Sequence, residues 1–308
     1  MFHWLLLAFV TDLQEKQTYL KTIKRIKVQT GVTIYAYVFG PNTNSSIQQF
    51  KIDATETKEL EILHVETGTQ KYNKYLKTLK NIISDLFIKI NGVIYYGHSG
   101  GIILGLWAGT KTFATVTDFV QTVLIPLQPT IVIFDSCYMG TISALYELSA
   151  VNSLEFTMAS PYYHPGFSVL QTKAFGQIGT NKPLLQSLQD ISCEFQQKKS
   201  PRYRCFLLFD MKKIPKLIRN VRLAIKHKKL VFNKESCVNK LEDLYDLHTS
   251  AQYMPLQSQI QEVTAHSCNL DKCYKIRGVT IDIALPALHL KVYKKMRWFK
   301  LMQDLMYV

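Results

Sequence analysis

The sequence predicts an α/β fold in three layers, with a mostly parallel central sheet covered by helices on both faces. Two observations predict it. Short apolar runs rich in β-branched and aromatic residues recur along most of the 308 residues, and stretches with apolar residues at helical spacing lie between them, the pattern of strands joined by crossover helices. The strands are expected at 3–10, 32–39, 59–65, 92–97, 130–135, 154–160 and 203–210.

The first run, MFHWLLLAFV, lacks a basic leader and a small-residue cleavage site, so it reads as a buried strand and not as a signal peptide. The polar interval PNTNSSIQQ (41–49) reads as an exposed loop. In KYNKYLKTLKNIISDLFIKI (71–90), Tyr75, Leu79, Ile82, Ile83, Leu86 and Ile90 mark the apolar face of a helix that crosses to the 92–97 strand. TISALYELSA (141–150) reads as a further helix leading into the next strand. The segment 226–278 is irregular and rich in Lys, Asn, Gln and Ser, with room for an inserted loop or an autolysis site, and 279–285 returns to strand character before a last aromatic helix. The expected organisation is a catalytic domain over 1–225, with 226–308 packing on it as a C-terminal part.

Thirty-seven basic residues against 23 acidic leave a net charge of +14. The excess lies in 21–27, 211–229 and 291–300. In 211–229, Ile214, Leu217, Ile218, Val221 and Ile225 recur at helical spacing, so the cations read as the solvated face of a packed helix. With 47% hydrophobic and 19% charged residues, the composition excludes disorder. No apolar run reaches the ~18 residues of a membrane span. Six cysteines (137, 193, 205, 237, 268, 273) are too sparse for a disulfide scaffold and are expected as free thiols, which favours a reducing compartment. His266, Cys268 and Cys273 have no second pair at zinc spacing, and no metal site is expected.

Two apolar strands end in reactive residues: GVIYYGHSGG places His98 just past one, and TIVIFDSCYMG places Cys137 just past another. Catalytic groups of a parallel sheet gather beyond the carboxyl ends of its strands, so neighbouring strands would unite the two. A thiol needs a base or a helix N-terminus to become a good nucleophile. His98 supplies the first, and the helix starting near Gly140 is expected to supply the second. Backbone N–H groups of Cys137 and of Ser99 or Gly100 are the expected oxyanion donors. Of the other histidines, His164 alone lies in an apparent loop near this site, and His98 is preferred to it.

The blocks YYGHSGG and IVIFDSCYMG resemble the strand–His–Gly and strand–Asp–Ala–Cys blocks of the clostripain family, in the caspase-like clan that also holds legumain, gingipain and separase. WLLLAFVTDLQ, FTMASPYYHPGFS, CFLLFDMKKIPKL, EDLYDL and GVTIDIALP are similar to further blocks of that family, so the likeness spans nearly the whole chain. The resemblance implies a caspase-hemoglobinase-like fold and a cysteine endopeptidase acting on protein or peptide substrates, with Cys137 as nucleophile and His98 as general acid and base. It implies that Asp135 binds a basic side chain before the scissile bond and that Ser160 flanks the substrate cleft. Self-activation at a basic segment, KKSPRYR (198–204) or KHKK (226–229), follows from the same likeness. The chain departs from the family in Ser99, where Gly is usual, and in Ser136, where Ala is usual; no second acidic residue for the specificity pocket is evident between 140 and 190. Clostripain depends on calcium, but no loop here carries EF-hand spacing, so no cofactor is expected and calcium dependence has no motif behind it. The competing readings are a catalytically silent scaffold of the same fold and a basic nucleic-acid-binding module. The latter lacks any recognisable motif, and GHSGGIILG lacks the glycine spacing of a dinucleotide site.

Overall fold

The computed structural model describes residues 1–40, 46–64, 71–101, 103–105, 113–162, 164, 168–178, 182–197, 205–230, 237–239, 244–252, 254–267, 279–282, 296–298 and 300–301. Strand β1 (Phe2–Phe9) leads to helix α1 (Leu13–Ile23). This helix is started by Asp12, whose carboxylate accepts the Glu15 N–H at 2.7 Å. There follow β2 (Val32–Phe39), β3 (Ser46–Ile52), β4 (Thr57–His64), α2 (Lys71–Ser84) and β5 (Gly92–Tyr96). A small antiparallel sheet of β6 (His98–Gly100), β7 (Ile103–Gly105) and β8 (Phe113–Thr115) comes next. A capping box of Thr115 and Asp118 then opens α3 (Val116–Phe119), which runs through a π-helical turn into α4 (Ile125–Leu127). The remaining elements are β9 (Ile131–Asp135), α5 (Ile142–Leu148), β10 (Phe156–Ala159), α6 (Leu184–Gln196), β11 (Leu207–Asp210), α7 (Ile214–Lys226), β12 (Cys237–Asn239), β13 (Leu244–Asp246), α8 (Leu247–Ser250), α9 (Met254–Val263) and β14 (Thr280–Asp282).

The main sheet has eight strands in the order β11-β10-β9-β5-β1-β2-β3-β4. Its five inner strands, from β10 to β2, are parallel, and β11 and the β3–β4 hairpin close the edges antiparallel. Every residue from Trp4 to Val10 is buried, because β1 runs mid-sheet with helices over both faces. Leu5, Leu7 and Phe9 point into the core beneath α2, α3, α5 and α7, while Trp4, Leu6, Ala8 and Val10 point into the core beneath α1 and α6. The three-layer architecture expected from the sequence is the one observed. In α7 the expected apolar positions Ile214, Leu217, Ile218 and Val221 are buried, and Lys216, Arg219, Arg222 and Lys226 face solvent.

Some local expectations are corrected. The second half of PNTNSSIQQ is strand: Ser46–Ile52 pairs with β2, and its polar residues sit in an edge hairpin with Phe50 and Ile52 buried. Helix α2 ends at Ser84 and does not run to Ile90; the Ser84 hydroxyl bonds back to the Lys80 carbonyl at 2.9 Å, a local bond that competes with helix propagation. Cys137 and Cys205 are thiols, but Cys193 is disulfide-bonded, so the cysteine content no longer argues for a reducing compartment. KKSPRYR, Cys268 and Cys273 lie outside the described residues. No helix among the described residues is long and apolar enough to cross a membrane.

Candidate active site

Three neighbouring parallel strands, β1, β5 and β9, end side by side, with Ala8 opposite Tyr96 and Tyr96 opposite Asp135. The connections leave in opposite senses here: α1 carries the chain from β1 toward β2 on one face, and α3 and α4 carry it from β5 toward β9 on the other. Such a switch point leaves a crevice beyond the strand ends. A cavity of about 160 Å³ lies there, lined by Glu15, Tyr96, Gly97, His98, Asp135, Ser136, Cys137 and His164.

His98 reaches the cavity through a bend that requires glycine. Gly97 has φ +154°, and a Cβ there would stand 3.0 Å from the Phe9 carbonyl oxygen. The Tyr95 hydroxyl then donates to the His98 carbonyl at 3.1 Å and fixes the backbone that carries the imidazole. Ser99 joins the two blocks directly: its hydroxyl donates to the Cys137 carbonyl. The Ser in place of Gly is thus a tie between the strand ends.

Cys137 is followed by a tight turn, with Tyr138 in the left-handed region at φ 56°. The Tyr138 N–H donates to the Tyr162 carbonyl at 2.8 Å and the Gly140 N–H to the Ser160 carbonyl at 2.9 Å. The expected open helix N-terminus does not stand beside the thiol: α5 starts only at Ile142, capped by Thr141, and the Tyr138 and Gly140 donors are spent on the segment that follows β10. Ser160 is buried, takes the Tyr162 N–H on its hydroxyl at 3.2 Å, and is not among the residues that line the cavity. Ser99 and Gly100 lie on β6 and are not among the residues that line the cavity. The Ser136 hydroxyl is buried with no hydrogen-bond partner among the described residues.

Asp135 is buried, and each of its oxygens has a partner. One carboxylate oxygen accepts from the Ser168 hydroxyl and, at 3.1 Å, from the Val169 N–H; the other meets Nε2 of His164. The His164 ring lies between Asp135 and two aromatic rings, with centroids 5.4 Å from Phe195 and 5.0 Å from Phe206. Its backbone brackets the thiol: the His164 N–H donates to Sγ of Cys137 at 3.2 Å, and Sγ lies 3.6 Å from the His164 carbonyl oxygen.

A second carboxylate comes from a part of the chain that the sequence reading did not connect with the site. Glu15, in the first turn of α1, accepts from the Thr11 N–H and hydroxyl, both at 2.6 Å, and from the Tyr96 hydroxyl at 3.1 Å. Burial, with the Glu15 and Asp135 charges beside it, pushes the Tyr96 phenol well above its usual pKa and keeps it a donor. The signal that could have found Glu15 is the Asp-x-x-Glu helix start directly after an apolar strand. His164 was visible only as a loop histidine. Among the described residues no group of three or more His, Cys, Asp and Glu is placed to hold a metal ion.

No family model and no curated protein matches the sequence. Solved structures do match the fold. A secreted C11 cysteine protease from Bacteroides thetaiotaomicron, in complex with an irreversible peptide inhibitor, superposes with a TM-score of 0.68 at 12% identity over 98% of both chains. Another structure of a secreted C11 cysteine protease from that organism, "iotapain", gives 0.69 at 11% identity over 97% of this chain and 98% of that one. An inactive zymogen C11 protease from Parabacteroides distasonis gives 0.62 at 14% identity over 97% of each. The chain has the caspase-like fold of the C11, clostripain-type cysteine proteases.

Proposed function

We propose that this chain is a cysteine endopeptidase with a Cys137–His98 dyad that cleaves after Arg or Lys. One observation carries the reading: a thiol and an imidazole from the ends of adjacent parallel strands line one small cavity together with two carboxylates, Asp135 and Glu15. The fold shared with the C11 proteases supports the same reaction class.

In this mechanism Sγ of Cys137 attacks the scissile carbonyl while the His98 imidazole takes the thiol proton. The tetrahedral oxyanion is met by backbone donors, for which the N–H groups of Cys137 and of Ser99 or Gly100 are the candidates, since those of Tyr138 and Gly140 are already bonded. Collapse breaks the C–N bond, His98 gives its proton to the leaving amine, and a thioester remains. Water then attacks the thioester, His98 takes its proton, and return of that proton to the sulfur regenerates the thiol and frees the acid product. A cationic side chain preceding the scissile bond pairs with carboxylate at the cavity floor. Self-cleavage at a basic segment belongs to the same reading, and Lys226 to Lys229 are exposed at the end of α7.

The test is hydrolysis of fluorogenic peptides ending in Arg, Lys, Asp, Asn or Leu by the purified chain and by Cys137→Ala. Turnover of the Arg and Lys peptides that vanishes in the variant is expected. Turnover of only the other peptides would remove the pocket assignment, and no turnover by folded protein would favour the silent scaffold.

A further inference from the structure

Resting on the peptidase reading above, we infer that His164 is the specificity-determining residue of the pocket: its imidazole sits on the Asp135 oxygen that Ser168 and Val169 leave, and a substrate's Lys ammonium competes with it for that oxygen. Of the two Asp135 oxygens, one is already shared by the Ser168 hydroxyl and the Val169 N–H, and the other is held by His164. The His164 and Asp135 side chains are 5% and 0% exposed, so the pair fills the floor of the cavity and is not a surface contact. The ring stands where a Lys ammonium would meet that oxygen, so the Lys side chain pairs with Asp135 as the imidazole withdraws.

The same contacts choose between the two basic residues. A guanidinium gains its advantage over an ammonium by gripping both oxygens of a carboxylate at once. Here Ser168 and Val169 hold one oxygen, so a substrate meets a single acceptor. A point charge loses nothing by that, while Arg loses its fork. The carboxylate of Glu15 is likewise committed, to Thr11 and Tyr96. Lys at the position before the scissile bond is favoured over Arg.

His164 also covers the nucleophile through its backbone, within 3.2 Å of Sγ on the N–H side and 3.6 Å on the carbonyl side. Its ring, seated on Asp135, Phe195 and Phe206, anchors that backbone, so withdrawal of the ring opens the pocket and uncovers the thiol together. Occupation of Asp135 by substrate and exposure of Cys137 are one event.

The experiment compares wild type, His164→Ala and His164→Gln in two assays: steady-state hydrolysis of Lys- and Arg-ended peptides, and the rate of Cys137 alkylation by iodoacetamide, followed by mass spectrometry. Loss of one competing charge-assisted hydrogen bond is expected to lower KM for the Lys peptide about tenfold in His164→Ala with kcat little changed, and to speed alkylation. His164→Gln, which keeps a polar donor at the position, is expected to fall between wild type and His164→Ala, and thermal denaturation of each variant establishes that it is folded. A raised KM or a lost kcat in a folded His164→Ala would overturn the inference, because His164 would then support the pocket instead of occupying it. Arg turned over faster than Lys would overturn the single-acceptor argument. If no variant hydrolyses any peptide, the peptidase reading fails by itself; alkylation still decides the cover, faster in His164→Ala supporting it and unchanged overturning it.

Discussion

Asp135 illustrates how a residue at a strand end is read at two levels. Its place two positions before the cysteine is visible in sequence, but its partners come from His164, Ser168 and Val169, which no spacing rule joins to it. His98 and Cys137 were legible because each closes an apolar strand and precedes a glycine-containing turn. Glu15 and Tyr96 were not, because their meeting depends on β1 lying beside β5, a fact of strand order. Ser160 looked equivalent to the other strand-end residues, yet it turns into the protein and serves the turn after Cys137. At this scale Asp135→Asn is expected to lower kcat/KM for the Lys and Arg peptides at least tenfold, as a charge-assisted pair becomes a neutral one, while a Leu peptide is little affected; kinetics on the three peptides checks it. Ser99→Ala removes the bond to the Cys137 carbonyl and is expected to cost about 1 kcal/mol, read by urea denaturation.

Among the elements, the turn from Cys137 to Gly140 depends most on one residue. A Cβ on Gly140 would stand 2.7 Å from the Pro161 nitrogen, a backbone atom with no rotamer to move. Gly140→Ala is therefore expected to push the turn from β10, lower the melting temperature and slow Cys137 alkylation or hydrolysis together, which thermal denaturation and the peptide assay check in parallel. The helices read from the sequence were those with a continuous apolar stripe, such as α7. Strand β3 was missed because its leading residues, Ser46, Gln48 and Gln49, are polar; it lies between β2 and the edge strand β4, a position the sequence does not reveal. The C-terminal part is tied to α5 by Glu147, which accepts the Trp298 N–H at 2.8 Å and the Thr117 hydroxyl at 3.0 Å. Trp298 is itself buried against Tyr146, so Trp298→Ala is expected to cost roughly 3–5 kcal/mol by denaturation.

For the whole molecule, layer architecture follows from composition along the chain, since apolar runs of strand length between helical stripes admit few other arrangements. The order of the strands, and hence the crevice, does not follow from any one run. Stability carries a pH signature from Glu147. Burial raises its pKa above the usual 4.5, outweighing the opposing hydrogen bonds from Trp298 and Thr117 and the Arg297 charge. The folded state then binds its proton more tightly than the unfolded chain, so this contribution is fully present below the unfolded pKa and is lost as pH rises through the folded one. Glu147→Gln is expected to gain stability relative to wild type across that rise and to show no relative gain below it, in denaturation series at several pH values.

The central claim is that His98 and Cys137, brought together by β5 and β9, work as one dyad. The measurement that tests it most directly is covalent capture by a Lys-ended peptidyl chloromethyl ketone, with the adduct mapped by mass spectrometry in wild type and in His98→Ala. Modification at Cys137 that slows at least a hundredfold without His98 is expected, in line with the 10²–10⁴ that a positioned acid–base group supplies. Modification at another cysteine, or at Cys137 with a rate indifferent to His98, would contradict it.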